Sequence, residues 1–240
     1  MTAPARSRSR SAGRWLFDWF KSIAIALVVW VFLRTFLVEA FKIPSGSMQN
    51  TLQIGDFLFV NKFLYGAEVP LLHTWLPAIR EPEHGDIIVF DSVDDPDMKI
   101  VKRLIGSPGD TLEMRGGVMY RNAVRLDEPY TTPVDLRRTE NSVLRARMRE
   151  WQVEHFAGPV PPRYVPDMHD WGPVVVPADS LFVLGDNRDD SLDGRYWGFL
   201  PRRNVRGHPM LVYYSFNMLS SLDFAFMREV RWDRVFTVPR

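Results

Sequence analysis

The feature that most constrains this chain is the rhythm of its apolar residues after position 50. They come in short runs, each closed by turn chemistry. Residues 56–62 (DFLFVNK), 86–90 (DIIVF) and 99–105 (KIVKRLI) are rich in Val, Ile and Phe and are bounded by Gly, Pro and Asp. Residues 111–114 and 118–121 flank Gly116-Gly117 and read as a hairpin. Further strands are expected at 172–176, 180–184 and 210–216. Connectors such as Glu81-Pro82-Glu83-His84-Gly85 and Ser107-Pro108-Gly109-Asp110 carry the residues that tight turns need. Many short strands with little helical periodicity predict a mainly β, antiparallel architecture. A length of 240 residues suffices for one or two domains with a real core.

Two regions break the rhythm. Residues 127–170 are rich in Arg, Glu and Pro, and 140–154 reads as a charged helix. The region is expected to be an inserted smaller lobe on a β core formed by 41–126 and 171–216. Residues 217–240 read as a short amphipathic tail, with Leu219, Leu222, Phe226 and Val230 giving it apolar spacing.

The N-terminus is different again. Residues 1–14 carry Arg6, Arg8, Arg10 and Arg14 and no acid, the pattern of a disordered basic arm. Residues 15–41 hold the only long apolar run. Its uncharged part, 22–33, is only 12 residues, short of the roughly 20 that a bilayer crossing needs. A 19-residue span from Phe20 to Val38 works if Lys21 snorkels and Arg34 is tolerated. Three readings are open: a cleaved signal peptide ending near Val38-Glu39-Ala40, a buried amphipathic helix, and a permanent transmembrane anchor over 15–40. For an anchor, the excess of Lys and Arg before the run puts the N-terminus in the cytoplasm.

Composition narrows the chemistry. A net charge of +1 gives no field suited to nucleic acid. There is no cysteine, so disulfides, thiol nucleophiles and thiolate metal sites are excluded. There is no G-x-S-x-G elbow and no H-E-x-x-H zinc motif. No metal or cofactor is implied.

Directly after the apolar run, Ile43-Pro44-Ser45-Gly46-Ser47-Met48 puts two serines on a Gly-bearing turn. A serine hydroxyl needs a base to become a nucleophile. The histidines, His73, His84, His155, His169 and His208, lie in polar or turn-like stretches and in no triad motif. Lysine is the alternative base. Only five of the 30 basic residues are lysines, and arginine does not give up its proton in proteins. Lys102 follows Ile100-Val101 in a strand-like run. Period-2 alternation puts Lys102 and Leu104 on one face and Val101 and Arg103 on the other. A lysine on a core-like face is desolvated, which favours the neutral amine.

The motifs occur in an informative order. IPSGS with Met48 is followed by Gly55-Asp56, by Gly85-Asp86-Ile87-Ile88-Val89-Phe90, by Lys102-Arg103 with Gly106-x-Pro108-Gly109-Asp110, and by GDNRDDSLDGR at 185–195 with Tyr196-Trp197-Gly198. This series closely resembles bacterial type I signal peptidase, a membrane-anchored serine endopeptidase that removes signal peptides from exported preproteins. The likeness is strong over 41–66, 84–110 and 181–200, and general in character over 115–175.

The resemblance implies roles. Ser47 matches the nucleophile and Lys102 the general base. Ser45 matches the hydroxyl that joins the Ser47 N–H in an oxyanion hole. Ser191 matches the hydroxyl that orients the lysine amine. Asp193 and Arg195 match an ion pair behind the site, and Asp186 belongs to the same supporting shell. Ile43, Pro44, Met48, Leu52 and Val101 fall where the family's two shallow apolar pockets admit small residues in an A-x-A pattern. Signal peptides and membrane lipid are the implied partners, and the catalytic domain is expected on the outer side of the bacterial cytoplasmic membrane. The resemblance favours a retained anchor. Asp190 and Gly194 depart from the residues common in the family. Two other classes compete: a catalytically silent, membrane-anchored β-domain binding signal peptides or envelope partners, and a self-cleaving cytoplasmic repressor with a related Ser–Lys fold. The apolar run and the lack of a helix-turn-helix argue against the second.

Overall fold

The computed structural model describes residues 12–32, 38–66, 68–69, 74–75 and 77–240. Most of the basic arm (1–11), His73 and residues 33–37 of the apolar segment, Arg34 among them, lie outside these residues. Among the described residues the short apolar runs form strands β1 (Val38–Lys42), β2 (Asp56–Asn61), β3 (Glu68–Val69), β4 (Thr74–Trp75), β5 (Ile87–Asp91), β6 (Lys99–Gly106), β7 (Thr111–Arg115), β8 (Val118–Arg121), β9 (Val124–Arg125), β10 (Trp171–Val175), β11 (Ser180–Leu184), β12 (Leu200–Pro201) and β13 (Val205–Ser215). The helices are α1 (Ala12–Phe32), α2 (Ser142–Glu154), α3 (Gly194–Trp197) and α4 (Ala225–Arg228).

The pairings within the sheets are antiparallel. Seven strands form one sheet in the order β1-β2-β13-β5-β6-β11-β12, four form a second in the order β10-β7-β8-β9, and β3 pairs with β4. In β2 buried and half-buried residues alternate strictly, as expected of a strand with one face on a core. Strand β5 is buried throughout because both faces are covered. Ile87 and Val89 join Ile43, Met48, Leu52 and Leu58 in one apolar cluster. Ile88 and Phe90 join Leu104, Leu181 and Val183 in another. A third cluster fills the space around the second sheet, with Leu112, Met114, Trp171 and Phe182.

Register places the lysine. Lys102 lies opposite Ile88, and Arg103 opposite Ile87. Residues directly opposite in an antiparallel pair share a face, so Lys102 stands on the side of Ile88, Ile100 and Leu104, as the alternation predicts.

The charged helix expected at 140–154 is α2. Asn141 caps it by accepting the Leu144 N–H at 2.9 Å, which satisfies one of the otherwise unpaired first-turn donors. Met148 of this helix is buried in the third cluster, with Leu144 and Trp151 packed against it. In the tail, Leu219 and Leu222 are exposed, and Val230 bridges back to Phe216.

At the N-terminus, no helix among the described residues is long and apolar enough to cross a membrane. Residues 38–40, read from the sequence as the end of the apolar segment, pair instead with β2, Val38 opposite Asn61 and Ala40 opposite Phe59.

Phe90 is fully buried in the central strand. Phe90→Ala should cost about 3–5 kcal/mol of stability, read from urea unfolding followed by circular dichroism. A loss within a few tenths would contradict the packed second cluster.

Candidate active site

The site is built from three separated segments: the turn at 43–55, strand β6 and the loop at 185–195. The turn has little regular structure, so its backbone is closed by specific bonds. Ile43 N–H donates to the Asp56 carbonyl at 2.8 Å, Gly55 N–H to the Ile43 carbonyl at 2.9 Å, and Leu52 N–H to the Met48 carbonyl at 2.7 Å. Met48 and Leu52 are buried anchors inside it. Gly55 is required here, because its φ of +92° is left-handed and a β-carbon would collide with the Phe216 carbonyl.

Ser47 stands on this turn, half-buried, with its Oγ 2.5 Å from Lys102 Nζ. Lys102 is only 3% exposed. Burial drives its pKa down to about 8, helped by the charge of Arg195 and opposed by Asp193 and Asp186. The pair is therefore a hydroxyl beside an amine that is easily neutral. Among the described residues the Ser47 N–H has no acceptor, and Ser45, two residues earlier, is exposed.

The loop at 185–195 holds the turn from behind. Asn187 N–H donates to the Ser47 carbonyl at 3.1 Å, and Asn187 Nδ2 donates to the Gly46 carbonyl, also at 3.1 Å. Asp186 is fully buried. Arg103 Nε and Nη2 bind its two carboxylate oxygens at 2.8 and 2.7 Å, and Thr51 Oγ1 donates to the same carboxylate at 2.5 Å. Arg103 Nη1 also donates to the Gly85 carbonyl at 2.7 Å.

Asp193 and Arg195 form a second pair at 0% exposure. Arg195 Nε and Nη2 reach Asp193 Oδ1 and Oδ2 at 2.9 and 3.0 Å, and Gly185 N–H donates to Asp193 Oδ2 at 3.0 Å. Burial pushes the Asp193 carboxyl up, but Arg195, the Gly185 N–H and Lys102 outweigh it and hold the group below its ordinary value. Arg195 Nη1 and Nη2 also donate to the Met168 and Arg188 carbonyls at 3.1 and 2.5 Å.

The structure thus brings Ser47, Lys102, Ser191, Asp186, Asp193 and Arg195 into one neighbourhood. Ile43, Met48 and Leu52 lie in one apolar cluster with Val101 packed against it, while Pro44 is exposed. The expected bond from Ser191 to the lysine amine is not formed: Ser191 Oγ is buried and without a hydrogen-bond partner. Its hydroxyl packs instead against Gly185. A β-carbon at Gly185 would collide with Ser191 Oγ and with the Ser47 carbonyl, 2.5 Å away. Sequence reasoning singled out neither Gly185 nor Thr51, Arg103 and Asn187 as site residues. Arg103 had a signal: it is a charged residue in an apolar strand, beside Lys102.

The family model described as "Signal peptidase, peptidase S26" matches residues 16–214. A signal peptidase I of Pseudomonas aeruginosa is 37% identical over 219 residues, covering 83% of this chain and 73% of the relative. A signal peptidase I of Bacillus licheniformis is 32% identical over 209 residues, covering 87% of this chain and 94% of the relative. A solved signal peptidase I from Enterococcus faecalis V583 is 30% identical, covers 55% of this chain and 98% of its own, and superposes with a TM-score of 0.35. The chain belongs to the signal peptidase family, peptidase S26. It is an enzyme, a serine endopeptidase of the hydrolase class.

Gly185→Ala should cost about 1–3 kcal/mol through overpacking and should lower peptidase activity further than the lost stability explains. Activity per folded molecule, with the folded fraction taken from near-ultraviolet circular dichroism, measures this. Unchanged specific activity would show that the Gly185–Ser191 contact does not position the turn.

Proposed function

We propose that this chain cleaves N-terminal signal peptides from exported preproteins after small residues of A-x-A type, using Ser47 as nucleophile and Lys102 as general base. The observation that carries the reading is the 2.5 Å contact between Ser47 Oγ and Lys102 Nζ, with the lysine buried.

The chemistry follows from the geometry. Neutral Lys102 accepts the Ser47 proton as Oγ attacks the scissile carbonyl. The developing oxyanion takes the unpartnered Ser47 N–H and the neighbouring Ser45 hydroxyl; one such donor changes the rate by roughly 10²–10³. Lys102 returns its proton to the leaving amine, and water, activated by the same base, releases the acyl group from Ser47. Ser191, with a buried unpartnered hydroxyl, orients the amine once Ser47 is acylated. Ile43, Met48, Leu52 and Val101, with exposed Pro44 at the rim, wall shallow pockets that reject large side chains by clash. An extended substrate binds alongside as an added strand.

A membrane location completes the reading. In α1, Trp15, Leu16, Phe17, Trp19, Phe20, Ile23 and Leu27 are exposed, a surface suited to lipid. On this reading α1 is the described part of the anchor. The basic arm stays in the cytoplasm of the bacterial cell and the catalytic domain lies on the outer side of the cytoplasmic membrane.

Ser47→Ala and Lys102→Ala should each reduce preprotein cleavage in detergent by roughly 10³-fold or more while the fold persists. Cleavage retained by either variant would refute the dyad, and a wild-type chain inert on every preprotein would leave a silent binding module. The pH dependence has a definite sign. Burial lowers the lysine pKa to about 8, and only the neutral amine accepts a proton. kcat/KM should therefore rise with pH through about 8 and fall below it, as a pH–rate profile would show. A rate that declines on passing upward through this range would exclude Lys102 as the base.

A further inference from the structure

Residues 128–135 open the inserted region. They carry no regular structure, yet they touch every segment of the site. We infer that these residues are a strap that positions the dyad, with Glu128, Tyr130 and Thr132 as its positioning residues. The inference rests on the Ser47–Lys102 reading above.

The strap is fastened at successive points. Glu128 accepts Arg188 Nη1 and Nη2 at 3.0 and 2.6 Å, and Arg188 Nε donates to the Gly185 carbonyl at 3.0 Å. The Tyr130 ring lies 3.7 Å from the Arg103 guanidinium. Arg103 follows Lys102 on β6 and binds Asp186 with both arms. Thr132 N–H donates to the Asp186 carbonyl at 3.0 Å, and Thr132 Oγ1 to Asn187 Oδ1 at 3.1 Å. Asp135 N–H donates to Asp189 Oδ2 at 2.7 Å. From the other side, Asn50 reaches over with its Nδ2 to the Tyr130 carbonyl at 3.0 Å. Asn50 has a left-handed φ of 89°, a conformation asparagine tolerates better than most residues.

Two of these contacts act directly on the dyad's supports. An asparagine amide has a donor end and an acceptor end. By donating to Asn187 Oδ1, Thr132 leaves Nδ2 facing the Gly46 carbonyl, so the turn carrying Ser47 is held in one orientation. Tyr130 stacks on the guanidinium beside Lys102 and limits its movement relative to Asp186. The strap touches no reacting atom; it acts through Asn187 and Arg103. Positioning matters at this scale, since a misplacement of about 1 Å can cost roughly 10²-fold in rate.

The test compares Thr132→Val and Tyr130→Leu with the conservative Thr132→Ser and Tyr130→Phe in the full chain in detergent, cleaving one peptide that spans an Ala-x-Ala site. Thr132→Val and Tyr130→Leu should lose roughly ten- to a hundredfold in kcat with KM within about twofold of the parent. The serine and phenylalanine variants should keep kcat near the parent's, because each retains the hydroxyl or the ring that the strap uses. Parental kcat in both Thr132→Val and Tyr130→Leu would overturn the inference, as would a rise in KM at constant kcat, the mark of a substrate contact. If Tyr130→Leu does not fold, the nearly isosteric Thr132→Val decides alone. Ser47→Ala is run in the same assay. If it is inert while the strap variants keep kcat, only the strap falls; if it cleaves, the dyad reading falls and takes the strap with it.

Discussion

The candidate active site converges on one buried carboxylate. Asp186 is fully enclosed and receives Arg103 from strand β6 and Thr51 from the turn at 43–55. Three segments far apart in the chain therefore converge on a single side chain. Stability alone does not account for such a pair, because apolar residues of similar volume are often at least as stabilising. What the pair adds is direction. A bidentate arginine fixes the plane of the carboxylate, and the plane fixes where the Thr51 hydroxyl, and with it the turn, can sit.

The second buried pair answers an electrostatic need. The base role proposed for Lys102 requires an amine that is readily neutral near physiological pH, and burial supplies that tendency. Burial is opposed by Asp193 and Asp186, which favour the ammonium form. Left unpaired, those carboxylates would pull the lysine back toward its charged state. Arg195 saturates Asp193, and its own positive charge pushes the Lys102 pKa further down. Arg103 does the corresponding work of pairing Asp186. The anions that shape the site are present, and each is answered by an arginine that cannot titrate in this range.

Much of this was legible in the residues. Short β-rich runs between turn signals located β2, β5, β6, β7, β8, β10 and β11 because strand pattern and turn chemistry are local properties. The alternation around Lys102 gave its face, since period two is a property of the strand itself. Other features depended on partners that sequence cannot pair. Val38, Glu39 and Ala40 looked like the end of an apolar run, yet they pair with β2, a long-range choice of register. Ser191 was expected to meet the lysine amine; its hydroxyl lies against Gly185, where a missing side chain leaves room. The turn-like region after Leu126 showed nothing local to mark it as a strap, because the bonds that fasten it to the site end on distant residues such as Arg188, Asp186 and Asn187.

The turn at 43–55 is fastened from outside for a physical reason. Its internal bonds satisfy only part of its polar backbone, so the rest finds partners elsewhere in the fold. It finds them late in the chain. Arg234 binds the buried Asp56 carboxylate and donates to the Thr51 carbonyl at 3.1 Å, while Arg231 takes Gln53 and the Ile54 carbonyl. Asn187 holds Gly46 and Ser47. Every one of these contacts spans well over a hundred residues, so the entropy of closing those loops precedes any reward from the contacts themselves. The turn's local sequence supplies two serines, two glycines and the buried anchors Met48 and Leu52, but the bonds on the Gly46 and Ser47 carbonyls come from Asn187. Its aim is a property of the completed fold, which is why residues from positions 186 to 234 are as much a part of the geometry of Ser47 as the turn that carries it.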